Sequence, residues 1–261
     1  MSGELAQIRA AGAGDVHQSR LANNSAISAA ASWMSRLGRH ELGFLITLAV
    51  VAAVIWGFTE LAGEVIEGDT HALDRQVLLA MRHASDLSDP IGPPWFEELA
   101  RDVTALGGVG LLSLLTLAVA GFLWLEDKGR AALLLVVAIA GGLTASMLLK
   151  AGFDRPRPEL VPHGSHVYTS SFPSGHSMMA AIVYLTLGAL LARFQRRRRL
   201  KAYVLALAAV ITFSVGASRV YLGVHWPTDV LAGWTAGAAW ALACWLVARQ
   251  MQRKGHVEDE S

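Results

Sequence analysis

Six long apolar runs constrain this chain more than any other feature. They lie at roughly Leu42–Leu61, Ala105–Leu125, Ala131–Leu149, Met178–Leu191, Tyr203–Ala217 and Val230–Val247. A helix needs about 20 apolar residues to cross the hydrocarbon core of a bilayer, and a soluble helical bundle has no use for so many runs of that length. The fourth and fifth runs are short, so they must draw length from the polar residues beside them. The 261 residues are 53% apolar and only 16% charged, whereas an ordinary soluble domain carries about 25% charged residues. The expected fold is all-α, a polytopic membrane protein with six transmembrane helices.

The flanks read differently. Residues 1–37 are rich in Ala, Ser, Gly and Asn and lack an apolar core. They fit neither a cleavable signal peptide nor a span, and are expected to form a disordered cytoplasmic tail. The membrane domain is then 38–250, with a short cytoplasmic tail at 251–261. The single cysteine, Cys244, lies inside the last run and can form no internal disulfide; a packing role is expected. A net charge of +1 gives no argument for a nucleic-acid partner, and none is expected.

Lys and Arg set the orientation, because cytoplasmic loops carry the excess of them. Fifteen of the 22 fall on one side: the tail before the first run, Lys128 and Arg130, the cluster Arg193–Lys201, and the C-terminus. Arg75, Arg82, Arg101, Lys150, Arg155, Arg157 and Arg219 fall on the other. Both termini are therefore expected in the cytoplasm of a cell with an inner membrane. The run "RFQRRRRLK" is read as a topology anchor in preference to an anionic-lipid or nucleic-acid patch. On the outer side, "HALDRQVLLAMRH" places Leu73, Val77, Leu78 and Met81 at helical spacing, which suggests a short helix lying on the interface.

Polar residues gather at the outward ends of the third to sixth spans. "KAGFDRPRP" (150–158) supplies cations in a segment that Pro156 and Pro158 keep from continuing as helix. "PSGH" (173–176) supplies a hydroxyl, a Gly that lets backbone N–H groups approach an anion, and His176, all at a helix start, where free donors and the dipole favour negative charge. "SRVYLGVHWPTD" (218–229) adds Arg219, then His225 and Asp229 four residues apart, on one face if they begin a helix. The carboxylate can then orient the imidazole. Snorkelling explains any one of these cations; it does not explain their convergence with two histidines at one depth. The set describes a phosphate pocket with a nucleophile and an acid. A metal site built from His163, His166, His176, His225 and Asp229 is the competing reading. Lys150, Arg157 and Arg219 would repel a divalent ion there, and no Glu or Cys completes a tetrahedral set. No metal or other cofactor is expected, and His163 and His166 are assigned to the loop 159–172.

At these residues the sequence resembles the type 2 phosphatidic acid phosphatase family, membrane enzymes that share a core fold with vanadium haloperoxidases. The family pattern has three parts, matched here by Lys150 to Arg157-Pro158, by Pro173-Ser174-Gly175-His176, and by Ser218-Arg219 through His225 to Asp229. The resemblance covers roughly residues 42–247. It implies that His225 attacks phosphorus while Asp229 holds its ring. His176 would protonate the departing oxygen and then activate water. Lys150, Arg157, Arg219, the Ser174 hydroxyl and the Gly175 N–H would cradle the phosphoryl oxygens. Arg155 lies outside the pattern and is read as a headgroup contact.

The leading expectation is a lipid phosphate phosphatase that acts on phosphomonoester or pyrophosphate lipids, such as phosphatidic acid or undecaprenyl pyrophosphate, at the outer face of the membrane. Two alternatives stay open: a phosphotransferase that passes phosphate to a second lipid, and a transporter that binds an anionic lipid without chemistry.

Overall fold

The computed structural model describes residues 39–159 and 170–253. The chain falls into two compact units, 1–47 and 48–261. Of the first, the described part is a helical start in which the Thr47 hydroxyl donates to the Gly43 carbonyl at 2.8 Å. The two expected tails lie outside the described residues, except that 251–253 continue the last helix.

The elements run α1 (Arg39–Glu67), α2 (His71–Leu79), a two-stranded antiparallel hairpin of β1 (Arg82–His83) and β2 (Asp86–Pro90), α3 (Pro94–Ala105), α4 (Val109–Leu125), α5 (Gly129–Ala151), α6 (Gly175–Arg193), α7 (Arg198–Tyr221) and α8 (Pro227–Arg253). Among the described residues five helices are long and apolar enough to cross a membrane: α1, α5, α6, α7 and α8. The α3–α4 pair, bent by 49°, makes a sixth if its two helices count as one span. Its break falls at Leu106-Gly107-Gly108, where Gly107 leaves no room for a side chain: a Cβ there would lie 2.5 Å from Val215 and 3.3 Å from the Cβ of His176. The apolar run expected from Ala105 takes in only the last residue of α3, because acids and Arg101 interrupt the apolar residues before it.

Helix α6 is the centre. From Met178 to Val183 every residue is buried, so two consecutive turns face protein on all sides. It packs most extensively on α7 and α8. The contact with α8 is close because Gly233 and Gly237, one turn apart, present bare backbone to it. A Cβ on Gly237 would sit 2.6 Å from the Met178 carbonyl oxygen. Small residues spaced by four are a general means of bringing membrane helices together. Outward-facing apolar side chains such as Leu114, Trp124, Leu148 and Phe213 stay exposed on the opposite surfaces, as lipid contact requires.

The short helix expected at 71–83 is present as α2, with a mixed face turned into the protein. Leu73 and Val77 are exposed, whereas Asp74 and Leu78 are turned inward and fully buried, Leu78 against Val220, Trp226 and Val230.

Gly237→Ala is expected to destabilise the protein by about 1–3 kcal/mol through overpacking. Gly57→Ala, with nothing within 4 Å of its added methyl, should be neutral or stabilising by up to about 1 kcal/mol. Thermal unfolding of both variants in detergent checks the contrast; equal effects would refute the close α6–α8 contact.

Candidate active site

Three segments build the site at one end of the bundle. The first leaves α5 at Lys150 and continues through 152–159. Its prolines cannot donate, and its other groups are held from outside. The Arg155 N–H donates to Ser170 Oγ at 3.2 Å and the Ser171 N–H to the Arg155 carbonyl at 2.9 Å. The Pro156 carbonyl accepts from the Ser171 hydroxyl at 3.1 Å and from the Trp226 indole N–H at 2.9 Å. So fixed, the segment aims Arg155 at Asp229 and Arg157 at His225.

The second segment is the start of α6. Ser174 is its N-cap, and its Oγ accepts from the Ser177 hydroxyl at 2.9 Å. That bond leaves the Ser174 hydroxyl proton available to another acceptor. The Ser174 N–H donates to the backbone carbonyl of Asp229 at 2.9 Å, which ties the start of α6 to the start of α8. Gly175 follows, and a Cβ there would lie 3.1 Å from Lys150 Cε. The bare backbone gives the lysine stem room to cross the helix start. Lys150 Nζ donates to the Ser170 carbonyl at 3.1 Å.

The third segment joins α7 to α8. Gly223, with φ 73°, takes the left-handed conformation that ends α7 and turns the chain toward His225. Pro227 then opens α8, where no N–H is needed from it. The Trp226 N–H donates to Asp229 Oδ2 at 3.0 Å, an acid in the first turn reaching back to the residue before the helix.

His225 is 1% exposed. Its Nδ1 lies 3.3 Å from Asp229 Oδ2, and its Nε2 lies 3.2 Å from Arg157 Nη1. A guanidinium can only donate. Nε2 is therefore the bare, accepting nitrogen, and Nδ1 carries the proton toward the carboxylate. Burial pushes the imidazole down to about 3, against the pull of Asp229. The ring is neutral at any physiological pH, with its lone pair on Nε2.

Two arginine donors of these segments have no acceptor among the described residues. The Nε atoms of Arg157 and Arg219 are buried and lack a hydrogen-bond partner among the described residues. Arg219 is anchored through Nη1 to Thr104 Oγ1 at 3.3 Å. A buried donor left unpaired costs about 1–3 kcal/mol, and an anion with several oxygens would satisfy both.

Every residue singled out from the sequence, Lys150, Arg157, Ser174, Gly175, His176, Arg219, His225 and Asp229, lies on these segments or at the end of α7 beside them. His163 and His166 lie outside the described residues. Arg155 does not face outward as a headgroup contact would. Its side chain is 12% exposed and bridges Asp229 to Asp74. Asp74, Thr228 and Thr104 escaped sequence reasoning altogether. Asp74 had one signal, an acid with no Lys or Arg three or four residues away on its own helix.

The PAP2 superfamily model matches residues 131–253. The chain is 35% identical to phosphatidylglycerophosphatase B of Bacillus subtilis over 150 residues, which are 56% of this chain and 72% of that protein. It is 32% identical to the lipid A 1-phosphatase of Rhizobium johnstonii over 120 residues, 42% of this chain and 45% of that one. Among solved structures, a transmembrane PAP2-type phosphatidylglycerolphosphate phosphatase from Bacillus subtilis superposes with a TM-score of 0.66 at 28% identity. The match covers 78% of this chain and 98% of that one.

Because its folded-state value lies below that of a free imidazole, about 6.5, His225 should stay neutral as pH falls from 8 to 5. Nitrogen NMR of labelled protein should show one protonated nitrogen, Nδ1, throughout that window. Conversion to imidazolium near pH 6.5 would contradict the buried geometry.

Proposed function

The chain belongs to the PAP2 superfamily of membrane phosphatases, and from that premise we propose that it removes phosphate from lipid phosphates through a phosphohistidine on His225. The observation that carries this reading is Arg157 Nη1 at 3.2 Å from the bare Nε2 of His225, with the buried Nε donors of Arg157 and Arg219 lacking a partner among the described residues. A phosphomonoester brings roughly −1.5 to −2 charges into a place already furnished with donors.

In the proposed sequence the Nε2 lone pair attacks phosphorus and forms the N–P bond. The bond from phosphorus to the lipid oxygen breaks, and that oxygen takes a proton from His176. Asp229 holds the Nδ1 proton and balances the positive charge that develops on the ring, as an orienting carboxylate does in other nucleophilic sites. Lys150, Arg157, Arg219, the free Ser174 proton and the Gly175 N–H receive the equatorial oxygens, whose charge they stabilise from fixed positions. His176, now neutral, takes a proton from water; the hydroxyl attacks phosphorus, the N–P bond breaks, and inorganic phosphate leaves. No step calls for a metal ion.

The lipid-length helices around the site support an amphiphilic substrate whose tail stays in the bilayer while its phosphate reaches the helix ends. Phosphatidylglycerophosphate, lipid A 1-phosphate and polyprenyl diphosphates share that chemistry. The Lys and Arg distribution supports a site facing out of the cytoplasmic membrane, with both termini inside.

Purified protein with chelator present should release phosphate from a panel of these lipids, and His225→Ala should lose about 10³-fold or more of that activity. In sealed right-side-out membrane vesicles the activity should be open to a water-soluble phosphate ester without detergent. Activity that needs an added divalent ion, that survives in His225→Ala, or that appears only in inverted vesicles would overturn the corresponding part of this reading.

A further inference from the structure

Asp74 and Arg155 are charged, deeply placed and outside the three-part pattern that names the phosphate cradle. Asp74 is fully buried on α2, and Arg155 comes from the segment after α5. The guanidinium spans two carboxylates: Nη1 lies 2.6 Å from Asp229 Oδ1, and Nη2 lies 2.5 Å from Asp74 Oδ2. Thr228 completes the link. Its hydroxyl donates to Asp74 Oδ2 at 2.6 Å and accepts from Arg155 Nη1 at 2.8 Å, while its N–H donates to Asp74 Oδ1 at 2.9 Å. The Arg155 guanidinium also lies 5.7 Å from the centre of the Trp226 ring.

We propose that Asp74 and Arg155 are positioning residues, a neutral clamp that fixes the angle of Asp229 toward His225 without discharging it. The inference rests on His225 being the nucleophile. Geometry gives the first half. With Oδ1 held by Arg155, the Asp229 carboxylate cannot rotate, and Oδ2 is left to face His225 Nδ1 and the Trp226 N–H. Charge gives the second half. Arg155 alone would offset Asp229 and weaken its hold on the positive charge that grows on His225 during attack. Asp74 offsets Arg155 in turn, so the three groups together carry one negative charge. In a site closed to water, charges at hydrogen-bond distance act with little screening. A cation on Asp229 with no second acid would therefore cost reactivity.

A purely structural rivet holding α2 to α8 would look similar in a static view, so the test must read more than loss of activity. Asp74→Asn keeps the shape and one acceptor while removing the charge. Partners that orient metal-binding residues are commonly worth about 10- to 100-fold, and a loss of that size in kcat with an activated phosphate ester is expected here, with KM changed less than about twofold. In an Asp229→Asn background the same substitution should cost less than about threefold, because Asp74 acts through Asp229. Arg155→Lys, which keeps the charge but cannot fork between two acids, should show the same kcat loss and the same non-additivity. It serves as the second variant if Asp74→Asn does not accumulate. Thermal unfolding identifies the folded fraction that each rate is divided by.

If His225→Ala is inactive while the folded clamp variants turn over like the parent, the clamp is refuted and the nucleophile stands. A loss of the same factor with or without Asp229, or a loss confined to KM, refutes it equally. If His225→Ala itself keeps turning over, the nucleophile reading fails and the clamp falls with it.

Discussion

A carboxylate buried at the end of an apolar bundle has to be paired, and the pairing of Asp229 organises this molecule. An isolated charge in such a place costs several kcal/mol, and Asp229 has no exposed surface. One oxygen takes Arg155, and the other takes the Trp226 N–H and His225 Nδ1. Its backbone carbonyl takes the Ser174 N–H. Through that residue the start of α8 meets the start of α6, the segment after α5 and, by way of Arg155 and Asp74, the short helix α2. The close glycine contact between α6 and α8 is what lets the two helix starts lie near enough for this to happen.

The same arrangement separates the two kinds of charge in the site. Both terminal nitrogens of Arg155 are taken up by the acids Asp229 and Asp74 and their threonine neighbours. Arg157 and Arg219 are anchored by one nitrogen each, to the Val224 carbonyl and Thr104, and keep a buried Nε without a partner among the described residues. Cations that end a span by snorkelling would turn toward water; these are held back in the protein. The proposed cradle is thus preorganised, its donors already oriented before any phosphate arrives, which is where electrostatic catalysis draws most of its effect.

Much of this could be read from the residues alone, for identifiable reasons. Span count followed from run length, and the eight site residues stood out because polar groups recur at the ends of successive spans. The break between α3 and α4 did not stand out. Its signal, Gly107-Gly108, sits where an apolar run begins, and what requires the bend is the approach of His176 and Val215, a tertiary fact. The orientation of α2 was hidden for the same reason. Its apolar residues mark an interfacial helix, and nothing in their spacing shows that Asp74 turns inward, where Arg155, 81 residues later, pairs with it. The misreading of Arg155 as a headgroup contact has the same source: spacing shows which residues share a helix face, and it cannot show which distant acid a lone arginine will meet.

The central claim is covalent, that phosphate passes through Nε2 of His225, and its most direct test is chemical trapping. Protein mixed briefly with a labelled, activated phosphate ester and quenched should carry a base-stable, acid-labile label that maps to His225. An activated leaving group departs without a proton, so His176→Ala should still form the label and should then hold it, lacking the base that hydrolysis requires. Label that survives in His225→Ala, or that maps to any other residue, would contradict the account.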